Sequence, residues 1–138
     1  MSGTMKAVVC HEFGPIEQLV VESMPIPIPK SDEILIKVEA AGVNFPDGLL
    51  VQGLYQMQPP HPFIPGNEVA GTIIQVGENV SYLQAGGRVV GLSVLGGYAQ
   101  YVCCKASHVM PLPDAVDFTS AAGLITAHAT AHHGLKQR

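Results

Sequence analysis

Seven short stretches of the chain are rich in Val, Ile and Tyr and end at turn residues. They are "MKAVVC" (5–10), "LVVESM" (19–24), "EILIKVEAAGV" (33–43), "EVAGTIIQVG" (68–77), "RVVGL" (88–92), "GGYAQYVCC" (96–104) and "HVMPL" (108–112). Segments this short, bounded by turn residues and punctuated by Gly and Pro, predict the strands of a β-barrel or sandwich, not a βαβ repeat. "MPIPIP" (24–29) is excluded as a central strand because proline lacks the amide donor. "GENV" and "QAGGR" read as turns, and "NFPDGLLVQGLY" (44–55) predicts one or two helical turns.

The pattern changes after "PLPDAVD". Residues 118–138, "FTSAAGLITAHATAHHGLKQR", are Ala-rich and free of proline, which predicts a helix. Asp117 is placed to cap its start, and Lys136 and Arg138 carry the positive charge that suits its end. At 100° per residue, Ala121, Leu124, Ile125 and Leu135 share a face with His128 and His132. Thr126, Thr130, His133 and Gln137 line the opposite face, either as solvated surface or as the wall of a site.

Composition sharpens this reading. A chain of 138 residues has room for one domain with a real core. Apolar residues make up 47% and charged residues only 13%, against about 25% charged in an ordinary soluble domain. That shortage suggests apolar surface meant to be covered. No apolar run reaches the roughly 20 residues needed to span a bilayer, and the start has no secretion-signal core. A net charge of −4 with only 7 scattered Lys and Arg argues against nucleic acid and anionic membranes as partners. Cys10, Cys103 and Cys104 make a poor disulfide framework, which suits a reducing cytoplasm.

Candidate chemistry is sparse. His128 and His132 have the i,i+4 spacing that can place two imidazoles on one metal. The glutamate of a metalloprotease helix is absent, however, so a packed or interface-facing pair is the plainer reading. Strand alternation sends Cys103 and Cys104 to opposite faces, as buried hydrophobes. No nucleophile elbow, Ser-His-Asp order or G-x-G-x-x-G is present. "PFIPGNEVAG" (62–71) stands out, because two prolines and a glycine hold the polar pair Asn67-Glu68 at a rigid strand entry.

Taken together, these segments resemble the medium-chain dehydrogenase/reductases, in the quinone oxidoreductase (zeta-crystallin-like) branch. From Met5 to Arg138, "MKAVV", "EILIKVEAAGVNFPDGLLVQGLY", "PFIPGNEVAG", "GGRVVGL", "GGYAQY" and "AAGLITAHATAHHGL" follow in that family's order and spacing. The resemblance implies a mainly β fold, a GroES-like partly open barrel with short helices and a C-terminal helix. Residues 1–117 would be the catalytic-domain portion. Residues 118–138 would be the helix leading to a Rossmann cofactor domain that is absent here. The chain then corresponds to the first part of an NADPH-dependent quinone or enone oxidoreductase. It is expected to be inactive alone and to bind no cofactor by itself. A natural truncation serving as a binding or oligomerising module is the alternative, and homo-oligomerisation is expected in either case.

The resemblance also assigns site residues. Where the family's zinc enzymes carry ligands, this chain has Asn44, Asn67 and Thr126, so no metal is expected and a zinc-type alcohol dehydrogenase is disfavoured. Pro46 replaces a proton-relay hydroxyl. Asn44 and Tyr55 would donate hydrogen bonds to the acceptor oxygen, and Asp47 would orient them or the cofactor ribose. Phe45 and Thr130 would meet the nicotinamide, while Asn67, Glu68 and Thr126 would line the former zinc pocket. The same side chains admit plain structural roles: Asn44 fixing a turn, Tyr55 capping the barrel, Glu68 accepting a hydrogen bond. One departure, Gly87 where the family has Asp before Arg88, predicts a looser turn or a freed Arg88.

Overall fold

A computed structural model describes residues 2–137. All seven expected strands form: β1 (Thr4–Val9), β2 (Val20–Pro25), β3 (Glu33–Gly42), β4 (Glu68–Val76), β5 (Arg88–Leu92), β6 (Tyr101–Lys105) and β7 (Val109–Pro111). β1 and β2 make a 2-stranded ribbon, and a 5-stranded sheet runs in the order β6-β3-β4-β5-β7. Every pairing is antiparallel. The two sheets meet at an Ala7–Ala99 bridge and through the Val8 N–H on the Tyr98 carbonyl, 2.8 Å. They do not close, so the architecture is the partly open, mainly β barrel with short helices.

β3 is the central strand, and its unbroken apolar run is explained by burial on both faces. Ile34 and Ile36 enter one core with Val69, Ile73, Val89 and Val102. Leu35, between them, enters a second core with Met5, Ala7 and Val9. Cys103 and Cys104 pair opposite Leu35 and Ile34 and divide between the same two cores. Burial, the largest cause, pushes the two thiols up to about 11 and about 12, which marks them as packing groups.

"GGYAQYVCC" is not a strand throughout. β6 begins only at Tyr101, because the Gly97 and Tyr98 N–H groups bond to the carbonyls of Gly66 and Pro65 instead of a strand partner. Arg88 is not freed either. Its guanidinium donates to the carbonyls of Pro113 and Val116, both at 2.8 Å, and lies 4.4 Å over the Phe118 ring. The positive charge thereby pins the loop after β7 and the start of the next helix, with no carboxylate needed at position 87.

The expected single helix over 118–138 is interrupted. It divides into α2 (Phe118–Ala122), a π-helical turn (Ile125–Ala129) and α3 (Thr130–Lys136). Asp117 caps α2 as expected, accepting the Ser120 N–H at 2.7 Å. Ala121 and Ala122 are buried against Ala70 and Val90 of the sheet. The face expected to be apolar is therefore split. Ala121 is covered and Ile125 half-covered, while Leu124 and Leu135 are 47% and 83% exposed and both His128 and His132 face solvent. Lys136 ends α3; Arg138, expected beside it, lies outside the described residues.

Candidate functional site

α1 (Phe45–Val51) starts where β3 ends, so Asn44 stands at the mouth of the barrel. Its backbone is extended, Pro46 occupies the first turn, and the Asp47 carboxylate turns back to accept the Asn44 N–H at 2.9 Å. These are standard helix-entry devices, and they place two polar side chains side by side. β4 begins at Glu68, directly opposite Gly42 in the ladder. A Cβ at Gly42 would lie 2.4 Å from the Ala122 carbonyl and 2.8 Å from Glu68 Oε2. Only glycine there lets α2 and the carboxylate close on β3.

Glu68 is fully buried yet satisfied on both oxygens. Oε2 accepts Asn44 Nδ2 at 2.9 Å. Oε1 accepts the N–H groups of Ile125, 2.6 Å, and Thr126, 3.0 Å. In a continuous helix those two N–H groups would bond to the carbonyls of Ala121 and Ala122. α2 ends at its C-cap Gly123, and the diversion of these two N–H groups to Glu68 accompanies the π turn that follows. Such turns recur at functional sites.

Asp47, 6% exposed, holds the second half of the network. Its Oδ2 also accepts the Tyr98 hydroxyl at 2.7 Å. Burial, and then this carboxylate, push the Tyr98 phenol well above the ordinary tyrosine range, so it remains a proton donor at any physiological pH. Asn44, Asp47 and Tyr98 open onto a groove of about 420 Å³ whose other walls include Ile16, Val43 and Phe45. Phe45 is 80% exposed on its rim. Apart from these three groups and Gln52 the lining is apolar, the composition of a site for a flat, weakly polar molecule.

The structure brings together Asn44, Asp47, Glu68 and the Thr126 backbone. Asn67 adjoins them through the strand entry, with its Oδ1 buried and without a hydrogen-bond partner. Opposite Asn67, Ser93 donates its N–H to the Asn67 carbonyl at 2.8 Å, and its own Oγ is likewise buried and unpartnered. Tyr55 and Thr130 are not among the groove residues. Tyr55 packs, half-buried, on the cluster of Cys10, Leu50, Val51 and Phe63, and Thr130 is exposed at the start of α3. Sequence reasoning missed Tyr98 and Ser93. The glycine pair before Tyr98 was a usable signal, since such pairs mark close backbone approach; nothing distinguished Ser93. His128 spends Nδ1 on the Gly123 carbonyl at 3.2 Å. Among the described residues, no three His, Cys, Asp or Glu side chains are grouped to hold a metal.

Comparison with known proteins places this geometry. The family model of the alcohol dehydrogenase GroES-like domain matches residues 30–114. The human quinone oxidoreductase is 40% identical over 133 residues, covering 95% of this chain and 40% of that protein. An alcohol dehydrogenase from a Moraxella species is 35% identical over 160 residues, covering 96% of this chain and 47% of that protein. The crystal structure of the Escherichia coli quinone oxidoreductase complexed with NADPH superimposes with a TM-score of 0.88 at 31% identity, over 97% of this chain and 40% of that one. The chain thus spans less than half the length of the relatives it matches.

Proposed function

Because the chain belongs to the alcohol dehydrogenase GroES-like domain family, in the quinone oxidoreductase branch of the medium-chain dehydrogenase/reductases, we propose that it supplies the substrate-binding part of a zinc-independent, NADPH-dependent quinone or enone reductase. The observation that carries this reading is the saturation of Glu68. A fully buried carboxylate needs compensation, and here the Asn44 amide and two backbone N–H groups provide it. The positions that hold zinc ligands in the family's metal enzymes are two amides and a hydroxyl, poor donors to Zn²⁺ beside thiolate and imidazole. One of those amides points its N–H at the carboxylate. This donor set weighs against the alcohol dehydrogenase reading.

The groove fits a nicotinamide. It has an aromatic rim at Phe45, an apolar wall, and the carboxylate of Asp47 available to ribose hydroxyls, with Thr130 a candidate contact from α3. NADPH, when bound, would supply the hydride. The protein's part is to hold the acceptor. Asn44 retains a second amide N–H for the acceptor oxygen, and Tyr55, which packs outside this groove on Cys10, Leu50, Val51 and Phe63, is the second donor this reading assigns. In a quinone or enone the incoming charge spreads over the conjugated system, so two neutral donors suffice where an isolated ketone would call for a Lewis acid. The free thiols of Cys10, Cys103 and Cys104 suit a cytoplasmic setting, and the exposed Leu124 and Leu135 suit a homo-oligomer.

The test is a protein that joins this domain to its nucleotide-binding domain. It should oxidise NADPH with para-benzoquinone and should leave ethanol untouched in the presence of NADP⁺. Ethanol oxidation that a chelator abolishes would reverse the assignment.

A further inference from the structure

We propose that Tyr98 is a positioning residue of this site, holding through Asp47 the orientation in which Asn44 meets the acceptor. The proposal rests on the reading above only for what Asn44 touches. The rest is geometry. Tyr98 Oη donates to Asp47 Oδ2 at 2.7 Å, and the same oxygen accepts the Asn44 N–H at 2.9 Å. One carboxylate oxygen therefore ties the loop before β6 to the first turn of α1. Asn44 is held from two sides, its backbone by Asp47 and its side chain by Glu68. Without the phenol, Asp47 Oδ2 would lose one of its two donors and gain freedom to turn toward water. The Asn44 backbone would follow it.

Tyr98 is itself fixed with little slack. Its N–H bonds to the Pro65 carbonyl at 2.9 Å, and its own carbonyl accepts the Val8 N–H at 2.8 Å. Its ring lies against Gly66, where an added Cβ would fall 2.4 Å from Cδ1. Gly66 has φ +92, a conformation glycine adopts without strain. The glycine of "PGNE" and the tyrosine of "GGYAQ" are thus two halves of one contact. A phenylalanine at 98 would keep the ring and this contact and remove only the hydroxyl. With Oδ2 committed to both donors, Oδ1 of Asp47, a residue of the groove wall, is left for a hydroxyl-bearing ligand.

The experiment compares the ¹⁵N-labelled chain with Tyr98→Phe by NMR. The Asn44 backbone and side-chain amide resonances should both move, while those of Gly66 and Val8 stay, as a role limited to packing would not predict. Asp47→Asn should move the same Asn44 resonances, and the double variant should add nothing further. Asp47→Asn also serves if Tyr98→Phe fails to fold. In the longer protein with its nucleotide-binding domain, Tyr98→Phe should lower kcat about tenfold with the KM for NADPH changed less than about twofold, the pattern of a lost positioning interaction. Unmoved Asn44 resonances overturn the proposal whatever the turnover. A wild-type protein that reduces no quinone overturns the assigned function and leaves the positioning claim to be decided by the resonances.

Discussion

Glu68 Oε1 accepts the backbone N–H of Ile125 at 2.6 Å across 57 residues of sequence, and the same carboxylate, through Oε2, takes the Asn44 amide at the barrel mouth. Glu68→Gln is the informative substitution. The glutamine oxygen can still take the two backbone N–H groups, but its amide then meets the Asn44 amide donor to donor. We expect a loss on the order of 2–4 kcal/mol, read by urea unfolding of the two chains side by side. A change below about 0.5 kcal/mol would mean that the buried network is not coupled to folding.

Metal content follows from the donor set. Purified protein should hold no stoichiometric zinc, because Asn44, Asn67 and Thr126 offer only amide and hydroxyl groups, weak ligands for Zn²⁺ beside thiolate and imidazole. Elemental analysis before and after chelator is the measurement. One zinc per chain that survives dialysis would refute the expectation.

Cofactor binding should require more than this chain. A dinucleotide pyrophosphate is held by a helix N-terminus with a glycine-rich approach, and the sequence contains no G-x-G-x-x-G. The 138-residue chain should therefore show no saturable NADPH oxidation with a quinone. In the longer protein Tyr55→Phe should lower turnover and leave NADPH affinity nearly unchanged. Equal loss of both would remove Tyr55 from the donor role.

Self-association should follow from the exposed apolar face. Met110 and Leu124 are each about half exposed and line one groove, and Leu135 on α3 is more exposed still. Burying ~500 Å² of such surface is worth on the order of 12 kcal/mol before the costs of association. Sedimentation at micromolar concentration should show a homodimer that Leu124→Glu and Ile125→Glu weaken. A monomer whose mass and solubility ignore both substitutions would argue that this face is not used.

Acid should loosen the C-terminal segment first. The Ser120 N–H and hydroxyl on Asp117 hold its carboxyl below the ordinary aspartate value. A depressed folded-state pKa stabilises above the unfolded value, about 3.9, and that contribution disappears as pH falls through the folded one. Circular dichroism should show helix signal falling below about pH 4, and Asp117→Asn should flatten that limb. An identical acid limb in the variant would assign the loss to another carboxylate.

Much of this fold was legible in the linear chain because strand burial has a period of two. The alternation of Ile34, Leu35 and Ile36, the opposite fates of Cys103 and Cys104, the Asp117 cap and the turn residues between strands are all local signals. Each depends only on which atoms neighbour each other along the backbone. The pair Asn67-Glu68 was also legible, as polar residues at a proline-rigid entry. The break in the C-terminal helix was not. Gly123, at the C-cap of α2, was a local hint, but the acceptor that takes the next two N–H groups is a carboxylate 57 residues away in sequence. Tyr98 was hidden for the same reason, since a hydroxyl becomes a site group only when the loop carrying it closes on Asp47, 51 residues away. Arg88 showed the converse. Its partners are backbone carbonyls, which every residue carries, so composition could not announce them. Local pattern determined the strands and their faces. Long-range hydrogen bonds, whose donors and acceptors have no sequence signature, decided what takes the N–H groups after α2 and which polar groups converge.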